Sequence, residues 1–304
     1  MTIDTSSETP LSAAEEKRIA KALSPPIAWP TLVLAVVVPA AFWSLIALGL
    51  THRLPLWACT PVLALLSYAH YTLVHESIHG NLAPGLPGLR WLNTLVGWVG
   101  ALGQGTAWPV QMRGHVQHHS HTNTDQDPDI FVKGTLGQLL VKWLIFVPTS
   151  LVPLALARRL NPAQYKSTEG YLSGSEALQA NMVSLATLAL LGLAIWSGRT
   201  LDWLCLFFIP TRVAGLILAI FFSWLPHYPF DRTERYLNTR ISLWPAGTFL
   251  TLQQSLHLMH HLWPSVPFYN YASLYRRLRP SLISKGSRIE GLMVGPYVRD
   301  RSAA

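Results

Sequence analysis

The sequence predicts an all-α polytopic membrane protein, with four transmembrane helices carrying a histidine-rich helical cap. Three observations predict it. Half of the 304 residues are hydrophobic and only 12% are charged, against roughly 25% charged in an ordinary soluble domain. Apolar stretches of about twenty residues, the length needed to cross a bilayer's hydrocarbon core, recur in two pairs. Eight of the twelve histidines fall in three five-residue boxes, HESIH, HVQHH and HLMHH. Folding alone does not ask for imidazoles at that density. Metal binding does, because neutral imidazole is the commonest nitrogen ligand and suits iron, zinc and copper.

Taken in order, residues 1–28 are polar, carry Pro25-Pro26, and read as a mobile tail around a short helix at Ala13–Ala22. Residues 29–304 read as one domain. The acidic and hydroxyl-rich start is not a cleavable signal, so the first span is expected to direct insertion. The expected spans are 31–50 and 56–74, forming one hairpin, and 181–197 and 201–225, forming a second. Two further apolar stretches, 91–103 and 143–157, are thirteen and fifteen residues long and interrupted by glycine or by Pro148 and Pro153. Runs of this length suit re-entrant or interfacial segments. Parity agrees: if either crossed, the boxes would lie on opposite faces and could not share one centre.

The net charge of +8 reflects orientation rather than a surface for nucleic acid. Arg53 and Arg199 flank the span ends on one side. Lys17, Arg18, Lys21, Arg90, Lys166, Arg232, Arg235 and Arg240 flank the other. This asymmetry places both termini and the boxes in the cytoplasm, with a bacterial inner membrane the expected location. Cys59 and Cys205 both sit in apolar runs and read as free thiols. After the third box, Tyr271, Leu274, Tyr275, Leu278 and Leu282 recur at helical spacing with Arg276, Arg277 and Arg279 between them, a pattern suited to a membrane surface. A core-packing helix is the alternative, and Pro280 limits either.

On a helix, residues four apart share a face, so His75 and His79 can grip one metal, as can His115 with His119 and His257 with His261. The adjacent pairs His118–His119 and His260–His261 point about 100° apart and can serve two metals. With His227, after the fourth span, the candidates number nine: too many for one ion and suited to two. His52, His70 and His121 read as ordinary structural histidines. HESIH also matches the zinc-protease pattern with Glu76 as general base, but that reading leaves most of the other histidines without a task. Otherwise Glu76 is an acceptor for an imidazole N–H or a surface carboxylate. Asp125, Asp127 and Asp129 lack the glycine and glutamate of a calcium loop; they read as acceptors behind His115 or His119, or as a solvated turn. Arg212, inside the fourth span, is a functional candidate by its cost, and Asp202 is too far along the helix to pair with it. Trp98, Trp108, Trp143 and Trp263 read as interface anchors or as channel lining.

The pattern HxxxH, HxxHH, HxxHH with a lone histidine after the fourth span resembles the membrane fatty acid desaturase and hydroxylase superfamily. The flanking strings HESIHGNLAPG, HVQHHSHTNTDQDPD, SWLPHYPFD and HLMHHLWPSVPFYNY resemble the cyanobacterial-type β-carotene hydroxylases in particular. The resemblance implies a mushroom-shaped fold with a cytosolic cap, and His75, His79, His115, His118, His119, His227, His257, His260 and His261 as ligands to two iron ions. It implies O2 as co-substrate, electrons from ferredoxin and ferredoxin reductase, and an apolar substrate dissolved in the membrane. The expected reaction is hydroxylation of a β-ionone ring, from β-carotene to zeaxanthin. A carotenoid ketolase or an acyl-lipid desaturase with the same centre is the alternative. An intramembrane zinc protease and a non-enzymatic metal- or haem-binding protein are more distant ones.

Overall fold

The computed structural model describes residues 10–165 and 170–292. Lys166 and residues 1–9 of the expected tail therefore lie outside the described residues. The architecture is helical. The first hairpin is α2 (Trp29–Leu50) and α3 (Leu56–Ile78), preceded by α1 (Ala13–Ala22). Two short helices follow, α4 (Trp91–Gly103) and α5 (Trp108–His121), then α6 (Leu136–Thr149). The second hairpin is α7 (Gly174–Trp196) and α8 (Thr200–His227). The cap closes with α9 (His257–Leu262) and α10 (Tyr271–Ser284).

Among the described residues, three helices, α2, α7 and α8, are long and apolar enough to cross a membrane. Their outward faces expose Val36, Trp43, Leu190 and Ile195, a pattern costly in water and suited to lipid. The fourth expected span, α3, has the length but a lower apolar content, for a reason visible in its packing. It runs at the centre of the bundle against α2, α4 and α8, and Ser67, His70, Thr72, His75 and Glu76 are all buried there. Its polar side chains meet protein rather than lipid. At about 1.5 Å per residue, α4 and α6 reach only about 20 Å, short of the roughly 30 Å needed to span.

Close approach of α4 to α3 depends on glycine. A β-carbon at Gly103 would lie 2.3 Å from the His70 ring, and one at Gly100 would lie 2.9 Å from the His70 carbonyl. The Ser67 hydroxyl donates to the Gly103 carbonyl at 2.9 Å across the same seam. In α8, two wide π turns, Leu204–Phe208 and Ala219–Trp224, each lie just ahead of a proline, Pro210 and Pro226. Proline cannot donate to the preceding turn and crowds its carbonyl; widening the turn accommodates both defects.

Two expectations need correction. The stretch 13–22 is helical as expected, but it is docked rather than free: Glu16 is buried and accepts from Tyr236 Oη and Lys285 Nζ. The helix after the third box continues through Pro280, and its apolar face is not offered to lipid. Tyr271, Leu274, Leu278 and Leu282 are buried with Ile241, Leu256, Leu258 and Met259 in the main core of the cap. Among the described residues there is also one parallel strand pair, Arg240–Ser242 with Arg288–Glu290, in register Ile241↔Ile289. Arg240, fully buried there, is neutralised by Glu290.

Candidate metal centre

The boxes arrive from four directions. The C-terminal end of α3 carries His75, and His79 is its cap residue. The last two turns of α5 carry His115, His118 and His119. His227 ends α8, directly after the second π turn, and α9 carries His257, His260 and His261. All nine meet in one place and sort into two groups. His75, His79, His115 and His260 form one; His118, His227, His257 and His261 form the other. Within each group the ligand atoms lie within 4.8 Å of one another. His119 stands between them: its Nε2 is 3.1 Å from His115 and 2.6 Å from His260, and its ring stacks on His261. The neighbours His260 and His261 are divided between the groups, as side chains about 100° apart on a helix require. His52, His70 and His121 stay outside. His70 instead donates Nδ1–H to the Leu66 carbonyl at 2.8 Å.

The donor set fits metal ions. Two tautomers are fixed from behind. His118 donates Nδ1–H to Asp127 Oδ1 at 2.8 Å. His227 donates Nδ1–H to Asn123 Oδ1 at 3.1 Å, and the amide of Asn123 is held in that sense by donating Nδ2–H to the carbonyls of Arg232 and Asn238. Both Nε2 atoms therefore present lone pairs to the same group, and that of His227 has no hydrogen-bond partner. In the other group His79 and His115 bring their Nε2 atoms to 2.9 Å, and His75 and His260 to 3.1 Å. Metal–imidazole bonds of about 2.0–2.1 Å put adjacent ligand nitrogens roughly 2.9–3.4 Å apart. Nitrogens converging at that spacing either share a proton pairwise, one ring donating N–H to the next, or turn their lone pairs together on a cation.

Electrostatics point the same way. Burial, reinforced by neighbouring imidazoles, pushes His79, His115, His119, His257, His260 and His261 well below the usual histidine range. They are held neutral, the form that ligates. His118 is the exception: burial opposes its charge, but Asp127 and Asp129 outweigh burial and raise it.

The acidic motif thus acts behind His118, not behind His115 or His119, and is not a solvated turn. Asp127 Oδ1 also accepts from the Asp129 amide and Oδ2 from the Asn123 amide, while Asp129 Oδ2 accepts from Ser223. Glu76 is fully buried behind His75, 3.5 Å from its Nδ1, and accepts from the Phe268 amide. It is neither a surface carboxylate nor the accessible base a protease would need. Sequence reading missed three contributors. Asn123 adopts a left-handed φ of +65° that asparagine tolerates better than most residues. The Tyr271 hydroxyl lies 3.2 Å from His260 Nδ1. Phe222, in the second π turn, packs edge-on against His75 and His257.

A cavity of about 390 Å³ adjoins the first group. His115 and Phe222 lie on its wall with Tyr71, Trp143, Phe146 and Arg212. Of the four tryptophans considered in the sequence, only Trp143 lines it. Trp108 packs against Gly97, Trp98 against the α3–α4 core, and Trp263 under the Arg235 guanidinium at 5.1 Å. None of the four is among the exposed tryptophans, which are Trp29, Trp43, Trp57, Trp91 and Trp196. Arg212 donates to Ser150 Oγ at 2.6 Å, while Asp202 pairs with Arg199 at 3.5 Å.

A nine-histidine cluster split into two groups, at one end of the membrane helices, defines a class: integral membrane oxidoreductases of the desaturase type. The chain belongs to the fatty acid desaturase family, whose model matches residues 51–289. It is similar to a beta-carotene ketolase of Paracoccus sp. (strain PC1), 27% identical over 237 residues covering 72% of this chain and 83% of the relative. A beta-carotene ketolase of Paracoccus sp. (strain N81106 / MBIC 01143) is 27% identical over 243 residues, covering 73% and 85%.

Proposed function

We propose that this protein is a membrane-bound di-iron oxygenase that inserts oxygen into a ring C–H bond of a carotenoid. The carrying observation is the pair of four-histidine groups, joined by His119 and opening at His115 onto a largely apolar cavity. Two iron ions, held by the nine histidines, would supply activation of O2. Each insertion consumes one O2, two electrons and two protons, and releases one water besides the hydroxylated ring. The chain's own part is to keep neutral the imidazoles that burial penalises, orient its ligands through Asp127, Asn123 and Tyr271, and exclude water with Phe222, Tyr71 and Trp143. The exposed basic residues Lys17, Arg18 and Lys21 on α1, with Arg276 and Arg277 on the α10 packed beside it, favour an acidic electron donor such as ferredoxin. Both termini and the cluster are assigned to the cytoplasmic face of a bacterial inner membrane.

Ring hydroxylation, β-carotene to zeaxanthin, is the simplest outcome. The relatives' name favours a second: oxidation of one ring carbon twice gives a geminal diol, which loses water to leave a ketone. Pigment analysis by chromatography and mass spectrometry separates them, in a bacterium that accumulates β-carotene and is supplied with ferredoxin. Hydroxylation adds oxygen alone; ketolation removes two hydrogens for each oxygen added. Either change should disappear in His118→Ala. Unchanged β-carotene beside purified protein that holds two irons would end the carotenoid reading and redirect the search to acyl lipids.

A further inference from the structure

The cavity wall carries a polar strip that a hydrocarbon would not use. Arg212 enters from the middle of α8, where a cation is costly and by default functional. Its Nη1 donates to Ser150 Oγ at 2.6 Å and its Nη2 to the Gln104 carbonyl at 3.3 Å. Its Nε is buried without a hydrogen-bond partner, and among the described residues it forms no ion pair with a carboxylate. Gln111 donates Nε2–H to Gln104 Oε1 at 2.8 Å, leaving its own Oε1 buried and unpartnered. Gln111 lies one helical turn before His115 on α5. The strip therefore leads along the cavity wall from Arg212 through Gln104 and Gln111 to the metal centre.

An unsatisfied donor and an unsatisfied acceptor on residues lining one apolar cavity are both costly until a ligand meets them. A hydroxyl has the chemistry to answer either, accepting from a guanidinium or donating to an amide oxygen. A ring carbonyl meets the donor alone. We propose that this strip recognises oxygen already present on the substrate, so that the preferred substrate is a carotenoid whose ring has been oxygenated once. A separate ring-oxygenating reaction must then supply it. This inference rests on the carotenoid reading above and narrows it.

The test is a binding titration, which needs no turnover. Purified protein in lipid nanodiscs is titrated with β-carotene and with its ring-hydroxylated derivative, following quenching of tryptophan fluorescence. Wild type should bind the hydroxylated pigment about tenfold tighter, the effect expected of one hydrogen bond to a charged group. Arg212→Met should abolish the preference while leaving the affinity for β-carotene within about twofold. Arg212→Lys should retain part of it, and Gln111→Leu should weaken it for the hydroxyl. Ser150→Ala, which removes only an anchor of the guanidinium, should keep the preference. Equal binding of the two pigments by wild type overturns this inference alone, whatever the variants do. Equal weakening of both pigments in Arg212→Met makes Arg212 a packing residue and also overturns it. Binding of neither pigment by wild type overturns the carotenoid reading and this inference together.

Discussion

The two histidine groups have the same number of imidazoles and different surroundings. The group of His118, His227, His257 and His261 is braced from behind by a carboxylate on His118 and an oriented amide on His227. The group of His75, His79, His115 and His260 has the Tyr271 hydroxyl at His260, with Glu76 at 3.5 Å from His75, and it is the group that opens onto the cavity through His115. An acceptor behind an imidazole fixes its tautomer and raises its basicity. One group is thus braced firmly by an acceptor behind each of two ligands, and the other, less braced, faces the cavity.

The largest expected effect comes from erasing the boundary between the groups. His119→Ala should abolish oxygenated product and lower bound iron from about two ions per chain to about one or none, measured by elemental analysis of purified protein. Two retained irons with normal turnover would remove His119 from the centre. Next comes the bracing itself. Asp127→Asn leaves His118 without its charged acceptor and should cost about 10–100-fold in iron affinity or activity. Tyr271→Phe, on the cavity side, should cost less than about tenfold. Equal losses in the two variants would refute the unequal bracing.

How much of this was legible in sequence follows from what kind of signal each part leaves. Spacing fixes which residues share a helix face, so the eight histidines of the boxes and the divergence of their adjacent pairs could be read directly. Bilayer thickness fixes span lengths, so the hairpins were legible too. Partners brought together by tertiary structure leave no periodic trace. Nothing local tells that Asn123 will serve His227, 104 residues away, or that Asp127 will back His118 rather than His115. A basic amphipathic helix has the same pattern whether lipid or protein covers it, so the burial of α10 could not be read either. Glycine gives a middle case. Gly103 in a hydrophobic run reads as a helix-weakening residue, yet it is what allows α4 to reach α3. Gly103→Ala should destabilise the protein by about 1–3 kcal/mol, because its β-carbon would overlap the His70 ring. Gly192→Ala, on a helix face with nothing within 4 Å, should be neutral or slightly stabilising. Thermal unfolding in detergent distinguishes the pair.

The smallest effect contrasts the cap with the membrane core. The dock of α1 rests on charge: burial penalises the Glu16 carboxylate, but hydrogen bonds from Lys285, Tyr236 and Ser281 outweigh burial and hold it below the usual carboxylate range. Burial likewise opposes the Lys285 ammonium, and Glu16 and Tyr236 reverse that and raise it. A lowered acid favours folding above its ordinary range and loses that contribution as pH falls through the depressed value; a raised base loses its contribution only as pH climbs past the ordinary lysine range. Docking should therefore hold across neutral pH and fail in acid, through protonation of Glu16, and in strong alkali. Limited proteolysis within residues 10–28 reports it. Glu16→Gln should be cleaved faster than wild type at pH 7, and the difference should begin to shrink in the ordinary glutamate range and vanish only once pH falls below the depressed value of the docked carboxyl. A difference that persists unchanged in acid would mean that α1 is held by its apolar contacts, Ile19 and Ala20 against the cap core, and not by the buried pair.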